Sequence, residues 1–220
     1  MAIDPVTPIR EIALAVPGAM ALFDEVGLDY CCAGHLSLGA ACERAGLPVA
    51  GVVGSLEEAS RAAVNVAAFH DWGHERPAAV AAHVVEHNYP LERGLMADTS
   101  ALIAKVVSVY GADHHELREI DRLWAKLCRL MTKHLHDERP VLEPLMGTSG
   151  QPQGATRRGE VAVEHEAVVE LVREIRGLAK DYSPPQDACD AMRSLYAALR
   201  AFEVDLHEHV LLADDVLHRT

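Results

Sequence analysis

The sequence His134-Leu135-His136-Asp137-Glu138 lies inside a long helical pattern and carries potential metal ligands. Residues four apart lie about 40° apart around a helix, so His134 and Glu138 share a face, whereas His136 points towards solvent. Apolar side chains mark the shared face as the buried one: Leu127, Leu130, Val141 and Leu145. A buried carboxylate is costly unless it is paired or bound to a metal ion. The stretch therefore predicts a metal-binding helix within a helical core.

The other long helical patterns also carry histidines on apolar faces. His165 and His209 lie on such faces in the third and fourth patterns, and His83 and His87 lie four apart in the first. In the first pattern His87 is the preferred ligand, and His83 or both histidines together are the alternatives. Each imidazole buried among Ala, Val and Leu needs a polar partner. These positions, at least one on each helix, favour a shared metal site over the competing hypothesis of a metal-free bundle.

The types of donor predict which metal this site binds. Imidazole and carboxylate ligands without thiolate favour iron or manganese over structural zinc. Carboxylates that bridge ions in a bundle core hold two of them about 3.5–4 Å apart. We therefore predict two non-haem iron ions, bridged by carboxylate, with an open position for a small diatomic ligand. Further carboxylates should orient the imidazoles, and three of them neighbour the ligands in sequence: Glu86, Glu164 and Asp205.

The helical patterns predict an all-α chain of two domains. Residues 1–62 form short helices, the fourth of which begins at Ser55, and residues 63–76 lose helical periodicity and form a linker. Residues 77–220 contain four long helical patterns, separated by turn sequences: 78–109, 114–146, 158–181 and 185–218. Long helices with short joints predict an antiparallel four-helix bundle. No segment has the alternating pattern that would predict a strand.

Two adjacent cysteines lie in the N-terminal domain, within residues 29–34 (DYCCAG). Vicinal cysteines rarely form a disulfide, because one strained peptide must close the ring. Two free thiols suited to a soft metal or to thiol exchange are the better interpretation, so Cys31 and Cys32 are candidate catalytic residues. The alternative is a pair of partly buried small side chains. The other cysteines are predicted to lie in the core: Cys42, Cys128 and Cys189.

Composition and charge exclude several classes of function. The 220 residues are 50% hydrophobic and carry a formal net charge of -13. An acidic surface without a Lys/Arg cluster repels phosphate backbones, which argues against nucleic-acid binding. No stretch approaches the roughly 18 apolar residues of a membrane span, and no leader with a basic start is apparent. An odd number of cysteines without framework spacing fits a reducing compartment, so we predict a cytoplasmic protein without a membrane partner.

Together these motifs resemble the repair-of-iron-centres family, di-iron proteins of bacterial stress response, and the resemblance covers nearly the whole chain. Residues 27–34 are similar to the double-cysteine motif of the family's short N-terminal domain, with Ala33 in place of a glycine. The bundle resembles the family's hemerythrin-like domain. Residues 134–144 resemble the segment that supplies a histidine and a bridging glutamate in the family, and residues 163–166 resemble the segment that supplies the third-helix histidine. Residues 184–189 and 205–209 resemble the entry to the last helix and that helix itself.

The chain departs from the family pattern in three places. The family places a second bridging glutamate four residues after His209, where this chain has Ala213, and Asp214 becomes the candidate bridge. Asp214 lies about 140° from His209 on an ideal helix, so a site with one bridge is the alternative. Tyr110 replaces a histidine that the family has after the first long helix, and it either binds iron or only packs there. The first helix aligns with a shift of one or two residues around His87.

The resemblance implies repair of iron–sulfur clusters damaged by nitric oxide or oxidants. We expect the bundle to donate iron, while Cys31 and Cys32 receive iron, pass electrons or contact the damaged partner protein. The alternatives are a hemerythrin-like sensor or scavenger of nitric oxide or oxygen, a nitric oxide reductase, and a metal-free interaction bundle. The sequence leaves open whether the protein is an enzyme and whether it is a monomer or a homodimer.

Overall fold

A computed structural model of the protein describes residues 3–63, 70–147 and 155–219. Within these ranges every regular element is a helix, and an isolated bridge between Pro8 and Ser37 is not extended into a strand. The prediction of an all-α chain is therefore confirmed. Part of the predicted linker, residues 64–69, and most of the turn predicted after the second long helix, residues 148–154, lie outside the described residues.

Short helices form the described N-terminal part of the chain. The side chain of Ser37 begins one of them by accepting a hydrogen bond from Ala40 N–H at 3.2 Å. Gly27 and Gly46 end two of them with positive φ angles, a conformation that glycine adopts without steric cost. The helices are α1 (Ile9–Ala15), α2 (Ala19–Val26), α3 (Leu38–Ala45) and α4 (Val49–Ala63).

The fourth short helix begins earlier than predicted. The carbonyl of Pro48 accepts hydrogen bonds from the N–H groups of Gly51 and Val52, so Ser55 lies inside α4. The prediction that Ser55 begins this helix is therefore wrong. The fixed φ of proline suits the start of a helix, and this signal outweighs the serine seven residues later.

Long helices follow a short 3-10 turn (Trp72–His74). The first of them contains a π-helical segment, a rare element that often marks functional sites. None of the helices in the described ranges is both long enough and apolar enough to span a membrane. The elements are α5 (Pro77–His83), the π-helical segment (Val84–Asn88), α6 (Tyr89–Tyr110), α7 (His115–Leu142), a 3-10 turn (Glu143–Met146), α8 (Ala155–Leu178) and α9 (Asp190–His218).

Consecutive long helices run antiparallel. Between α6 and α7, Tyr89 contacts Glu138 and Ser100 contacts Trp124, so residue numbers rise on one helix as they fall on the other. The same reversed order holds between α7 and α8, where Asp137 contacts Arg157 and His134 contacts His165. It also holds between α8 and α9, where Arg176 contacts Glu203 and His165 contacts His209. The helices therefore form the predicted antiparallel bundle, with apolar side chains between them.

Backbone contacts divide the chain into two compact units. The first contains Met1–Val80 together with Val210–Thr220, and the second contains Ala81–His209. The second unit holds most of the long helices. The last turns of α9 are grouped with the N-terminal helices, so an element that is continuous in sequence is shared between the units.

Candidate metal centre

Three long helices bring four ionisable side chains together inside the second unit. Helix α7 supplies His134 and Glu138, α8 supplies His165, and α9 supplies His209. Each of these side chains is at most 1% exposed, and each offers an atom within 4.8 Å of the other three. They lie on the apolar faces by which the helices pack, so burial of those faces carries the four polar groups into the core.

The carboxylate of Glu138 is at the centre of this cluster. Its Oε1 lies 3.0 Å from His165 Nε2, and its Oε2 lies 2.7 Å from His209 Nε2. His134 Nε2 lies 3.5 Å from the Oε2 oxygen, beyond the usual length of a hydrogen bond. Three imidazoles therefore direct their Nε2 atoms towards a single carboxylate.

Two further carboxylates contact the other nitrogens of these imidazoles. His209 Nδ1 lies 2.8 Å from Glu92 Oε1, and His134 Nδ1 lies 3.2 Å from Glu164 Oε2. Lys133 pairs with Glu164 on its other side. A metal-binding histidine almost always donates its second N–H to a carboxylate, carbonyl or water, which fixes the tautomer and the ring orientation. The carboxylates thus leave both Nε2 atoms available as metal ligands.

Opposite charges within the cluster stabilise one another. Burial alone would raise the pKa of the Glu138 carboxyl, but the charges of His209 and His134 lower it well below its usual range. Burial alone would lower the pKa of His209, but the charges of Glu92 and Glu138 raise it well above its usual value. The site therefore stabilises a negative carboxylate together with a positive charge among the imidazoles. A bound metal cation would supply positive charge at the same place.

A buried tyrosine from the first long helix also contacts the cluster. The Tyr89 hydroxyl donates a hydrogen bond to Glu138 Oε2 at 2.8 Å, and its ring centre lies 5.5 Å from that of His209. Burial, followed by the negative charge of Glu138, raises the pKa of Tyr89. The hydroxyl is therefore protonated at neutral pH and holds one oxygen of the carboxylate in position.

A second layer of buried polar groups lies beside Glu92. Asn88 Nδ2 donates a hydrogen bond to Asp205 Oδ1 at 3.2 Å. Burial, followed by the charge of Glu92, raises the pKa of Asp205 to about 7. Asn88, Glu92 and Asp205 each have one side-chain oxygen that is buried without a hydrogen-bond partner in the described part of the chain. Unsatisfied buried oxygens often mark the position of a water or an ion.

The donor set fits iron. His134 Nε2 is buried and has no hydrogen-bond partner among the described residues, as expected of a nitrogen that binds a metal ion. Imidazole nitrogen and carboxylate oxygen, without thiolate, suit non-haem iron. The residues able to hold it are His134, Glu138, His165 and His209.

The histidines of the first long helix lie outside this cluster. His87 is exposed, and its ring stacks on that of the half-buried His83 at 4.7 Å. His83 Nε2 lies 3.8 Å from Glu208. The prediction that His87 faces the core is therefore wrong, because its side chain is exposed. The buried positions of this part of the chain are Val80, Val84, Val85, Asn88, Tyr89, Glu92 and Met96.

Tyr110 and Asp214 are not part of the four-residue group within the described ranges. Tyr110 lies 18 residues beyond Glu92 on the same helix, about 27 Å along its axis. Its hydroxyl forms a hydrogen bond with the Cys189 thiol. Asp214 is half-buried on α9, and its backbone carbonyl lies 2.6 Å from a ring nitrogen of His218.

Tyr89 and Glu92 contact the site but were not predicted from the sequence. A signal for them exists, because six buried side chains repeat at spacings of three and four along α6: Tyr89, Glu92, Met96, Thr99, Ile103 and Val106. A glutamate on such a stripe supports the same argument that singled out Glu138, since a buried carboxylate needs a partner.

The adjacent cysteines form a second group of potential ligands, in the first unit. Asp29 Oδ1 lies 3.2 Å from Cys31 Sγ and accepts a hydrogen bond from Cys32 N–H at 2.9 Å. Both cysteines are free, with Cys31 buried and Cys32 half-buried. The hydrogen bond with Cys32, followed by burial, raises the pKa of the Cys31 thiol. The cysteines predicted to lie in the core are buried in one case, Cys42, and half-buried in two, Cys128 and Cys189.

Comparison with known families agrees with this geometry. The model of the hemerythrin HHE cation binding domain matches residues 93–220. A second model, a domain of unknown function (DUF542, ScdA_N), matches residues 6–60, which include both adjacent cysteines. Since the first match covers more than half of the chain, this protein belongs to the hemerythrin HHE cation-binding family.

Curated relatives match along almost the entire chain. The iron-sulfur cluster repair protein YtfE of Salmonella typhimurium is 26% identical over 213 residues, which cover 96% of this chain and 94% of that protein. The protein of the same name from Citrobacter koseri is 25% identical, with the same coverage. A probable iron-sulfur cluster repair protein of Haemophilus influenzae is 26% identical over 95% of this chain and 93% of its own length. The resemblance predicted from the sequence is therefore confirmed.

Proposed function

We propose that the bundle holds two non-haem iron ions and that the protein donates iron to iron–sulfur clusters damaged by nitrosative or oxidative stress. The observation that carries the proposal is the buried group of His134, Glu138, His165 and His209. Three imidazoles around a carboxylate in an apolar core are stabilised by a bound cation. The names of the relatives, which match 95–96% of this chain, support the role in cluster repair.

The geometry of Glu138 supports a centre with two ions. Its Oε1 faces His165, whereas its Oε2 faces His209. A carboxylate that presents its two oxygens to different ligands is suited to bridge two ions. Ala213 provides no donor at the position of a second bridging glutamate, and Asp214 is the proposed substitute. An ion with few protein ligands is the one that can leave, which suits iron donation.

Small diatomic molecules are the proposed ligands of the iron centre. A cavity of about 190 Å³ lies between α7 and α8 and contains Lys133 and Glu164 in its wall. Since a water molecule occupies about 30 Å³ in the liquid, nitric oxide or oxygen would fit there easily. Glu164 also contacts His134 Nδ1, so the cavity adjoins the group that orients one ligand of the site.

Cys31 and Cys32 are the proposed contact with the damaged partner protein. Cys32 is half-buried and therefore reaches the surface, whereas Cys31 is buried. Both are free thiols, a state that persists in the reducing cytoplasm, where we propose that the protein acts. A thiol at the surface can exchange iron or electrons with a cysteine of a cluster protein.

The proposal predicts that the protein rebuilds clusters in a purified apo iron–sulfur protein. Iron-loaded protein is mixed anaerobically with the apo protein, sulfide and a thiol reductant, and cluster formation is followed by visible absorbance. The wild-type protein should supply the iron. The variant with Cys31→Ala and Cys32→Ala should retain its iron yet transfer it about tenfold more slowly, because the thiol that reaches the surface and its buried neighbour are lost.

A matched variant, Cys128→Ala with Cys189→Ala, should transfer iron as the wild type does. Equal transfer by both double variants would remove the adjacent cysteines from the proposal. Failure of the iron-loaded wild-type protein to rebuild any cluster would contradict repair by donation. Reduction of nitric oxide to nitrous oxide without iron transfer would favour the alternative of a nitric oxide reductase.

A further inference from the structure

The loop that follows α2 groups three potential metal ligands from four consecutive residues. We propose that Asp29, Cys31 and Cys32 together bind one divalent cation of the soft or borderline class, such as iron(II) or zinc(II). Asp29 is then a ligand in addition to the two thiols. The site deepens the proposed function, and only the choice of iron as its natural ion rests on that function.

The distances between the ligand atoms suit a single cation. The two Sγ atoms lie 3.9 Å apart, and Asp29 Oδ1 lies 3.2 Å from Cys31 Sγ. If one metal ion bound both sulfurs at about 2.3 Å, the sulfur–metal–sulfur angle would be about 115°, close to the tetrahedral value. A disulfide does not compete in this conformation, since the sulfurs are far beyond bonding distance and adjacent Cα atoms are closer than disulfides usually allow.

Hydrogen bonds hold the loop in this conformation without a metal ion. Asp29 Oδ1 accepts the N–H of Cys32 at 2.9 Å, which fixes the carboxylate beside the sulfurs. The buried Tyr30, between the ligands in sequence, donates its hydroxyl to Asp24 on α2 at 3.2 Å. Ligands that are already positioned lose little freedom on binding a cation. The loop is therefore organised as a site.

Close packing at Gly34 fixes the far end of the loop. A Cβ at this position would overlap the carbonyl of Tyr30 and would approach Arg10 Cβ to 2.8 Å. The Gly34 carbonyl accepts a hydrogen bond from Arg10 N–H at 3.0 Å. The loop is thus held against α1 on one side and continues from α2 on the other.

The ligand types and their exposure determine what the site would bind and release. Thiolates select soft and borderline cations, and a carboxylate adds an oxygen donor that iron(II) and zinc(II) both accept. Each thiol that binds releases its proton to solvent, and no electron is transferred. Three protein ligands leave a fourth position open, as in zinc enzymes that bind substrate. Since Cys32 is the less buried thiol, a partner's cysteine would approach from its side.

Cobalt(II) is the probe for this site, because cobalt(II) bound to thiolate has a sulfur-to-metal charge-transfer band in the near ultraviolet. Full-length, iron-loaded protein is titrated anaerobically with cobalt(II), and zinc(II) is then added as a competitor. We expect one equivalent of cobalt(II) with this band, and we expect zinc(II) to displace it. The four-residue cluster of the bundle contains no sulfur and would not produce the band.

Variants separate the three ligands. Asp29→Asn keeps an oxygen that can accept the Cys32 N–H but removes the charge, and it should weaken cobalt(II) binding at least about tenfold. Cys32→Ser should reduce the intensity of the charge-transfer band to about half or less, because one of two thiolates is lost. Glu25→Gln, at an exposed position on α2, and Cys128→Ser are the matched controls and should behave as the wild type.

Unchanged cobalt(II) affinity in Asp29→Asn, or an unchanged band in Cys32→Ser, would overturn the inference. The iron content of the same samples keeps this result distinct from the proposed function. Glu138→Ala should lose iron from the bundle and retain the cobalt(II) band. If the band does not appear in wild-type protein that still holds its iron, the loop site is contradicted but the iron site of the bundle is not.

Discussion

At the scale of single residues, further side chains hold polar groups of the buried cluster in position. Glu138 accepts the hydroxyl of Tyr89, and His209 is held on its Nδ1 side by Glu92. His134 is held in the same way by Glu164. Buried charges are tolerated only when such partners or a metal ion compensate them. The orienting carboxylates should therefore affect metal affinity nearly as strongly as the ligands do.

Glu92 provides a direct test of this arrangement. Glu92→Gln removes the negative charge that holds His209 Nδ1 but keeps a similar shape, so iron should bind about 10–100-fold more weakly. The measurement is the iron retained per chain at increasing concentrations of a chelator. Glu86→Gln, an exposed position six residues earlier, is the control and should retain iron as the wild type does. Identical retention by the two variants would contradict the orienting role.

The sequence predicted some of these residues and not others, for a physical reason. His134 and His209 are surrounded by Leu and Val at helical spacing, so their burial follows from periodicity. Tyr89 and Glu92 also recur at helical spacing, but their stripe has several polar members and so indicates burial less strongly than the Leu and Val around His134. Only the contacts with Glu138 and His209 reveal why this polar face is buried.

At the scale of elements, the loop between α2 and α3 depends on its glycines more than on its length. Gly27 ends α2 with a φ of 75°, and Gly34 allows the backbone to pass close to the Tyr30 carbonyl. The sequence indicated the helix end at Gly27, because a C-terminal glycine has a known signature. The requirement at Gly34 involves Arg10 from another helix and so could not be predicted from local sequence.

Gly34→Ala should destabilise the N-terminal helices and disturb the thiols. The added Cβ would overlap backbone that cannot move freely, so the free energy of unfolding should fall by about 1–3 kcal/mol. Gly54→Ala is the matched control, since a Cβ there meets nothing within 4 Å and lies inside α4. Its effect should be neutral or stabilising by up to about 1 kcal/mol. Denaturant unfolding of both variants measures the difference, and equal stabilities would contradict the close packing.

At the scale of the whole molecule, the two compact units do not coincide with the two domains that the family models match in the sequence. The family models match residues 6–60 and 93–220, whereas the compact units group Val210–Thr220 with Met1–Val80. Four consecutive residues of α9, Val210, Leu211, Leu212 and Ala213, are fully buried. A helix buried on every side shows no amphipathic period. Periodicity therefore predicted the long helix but not which unit its end belongs to.

Iron quantification on purified protein tests most directly whether the four buried side chains form a binding site for iron. Wild-type protein from iron-rich medium should contain about two iron ions per chain, the number that a bridged bundle site holds. Glu138→Ala and His209→Ala should each lose most of this iron. His136→Ala, an exposed position on the same helix as Glu138, should retain it. Equal iron content in all four proteins, or none in the wild type, would show that these side chains do not form an iron site.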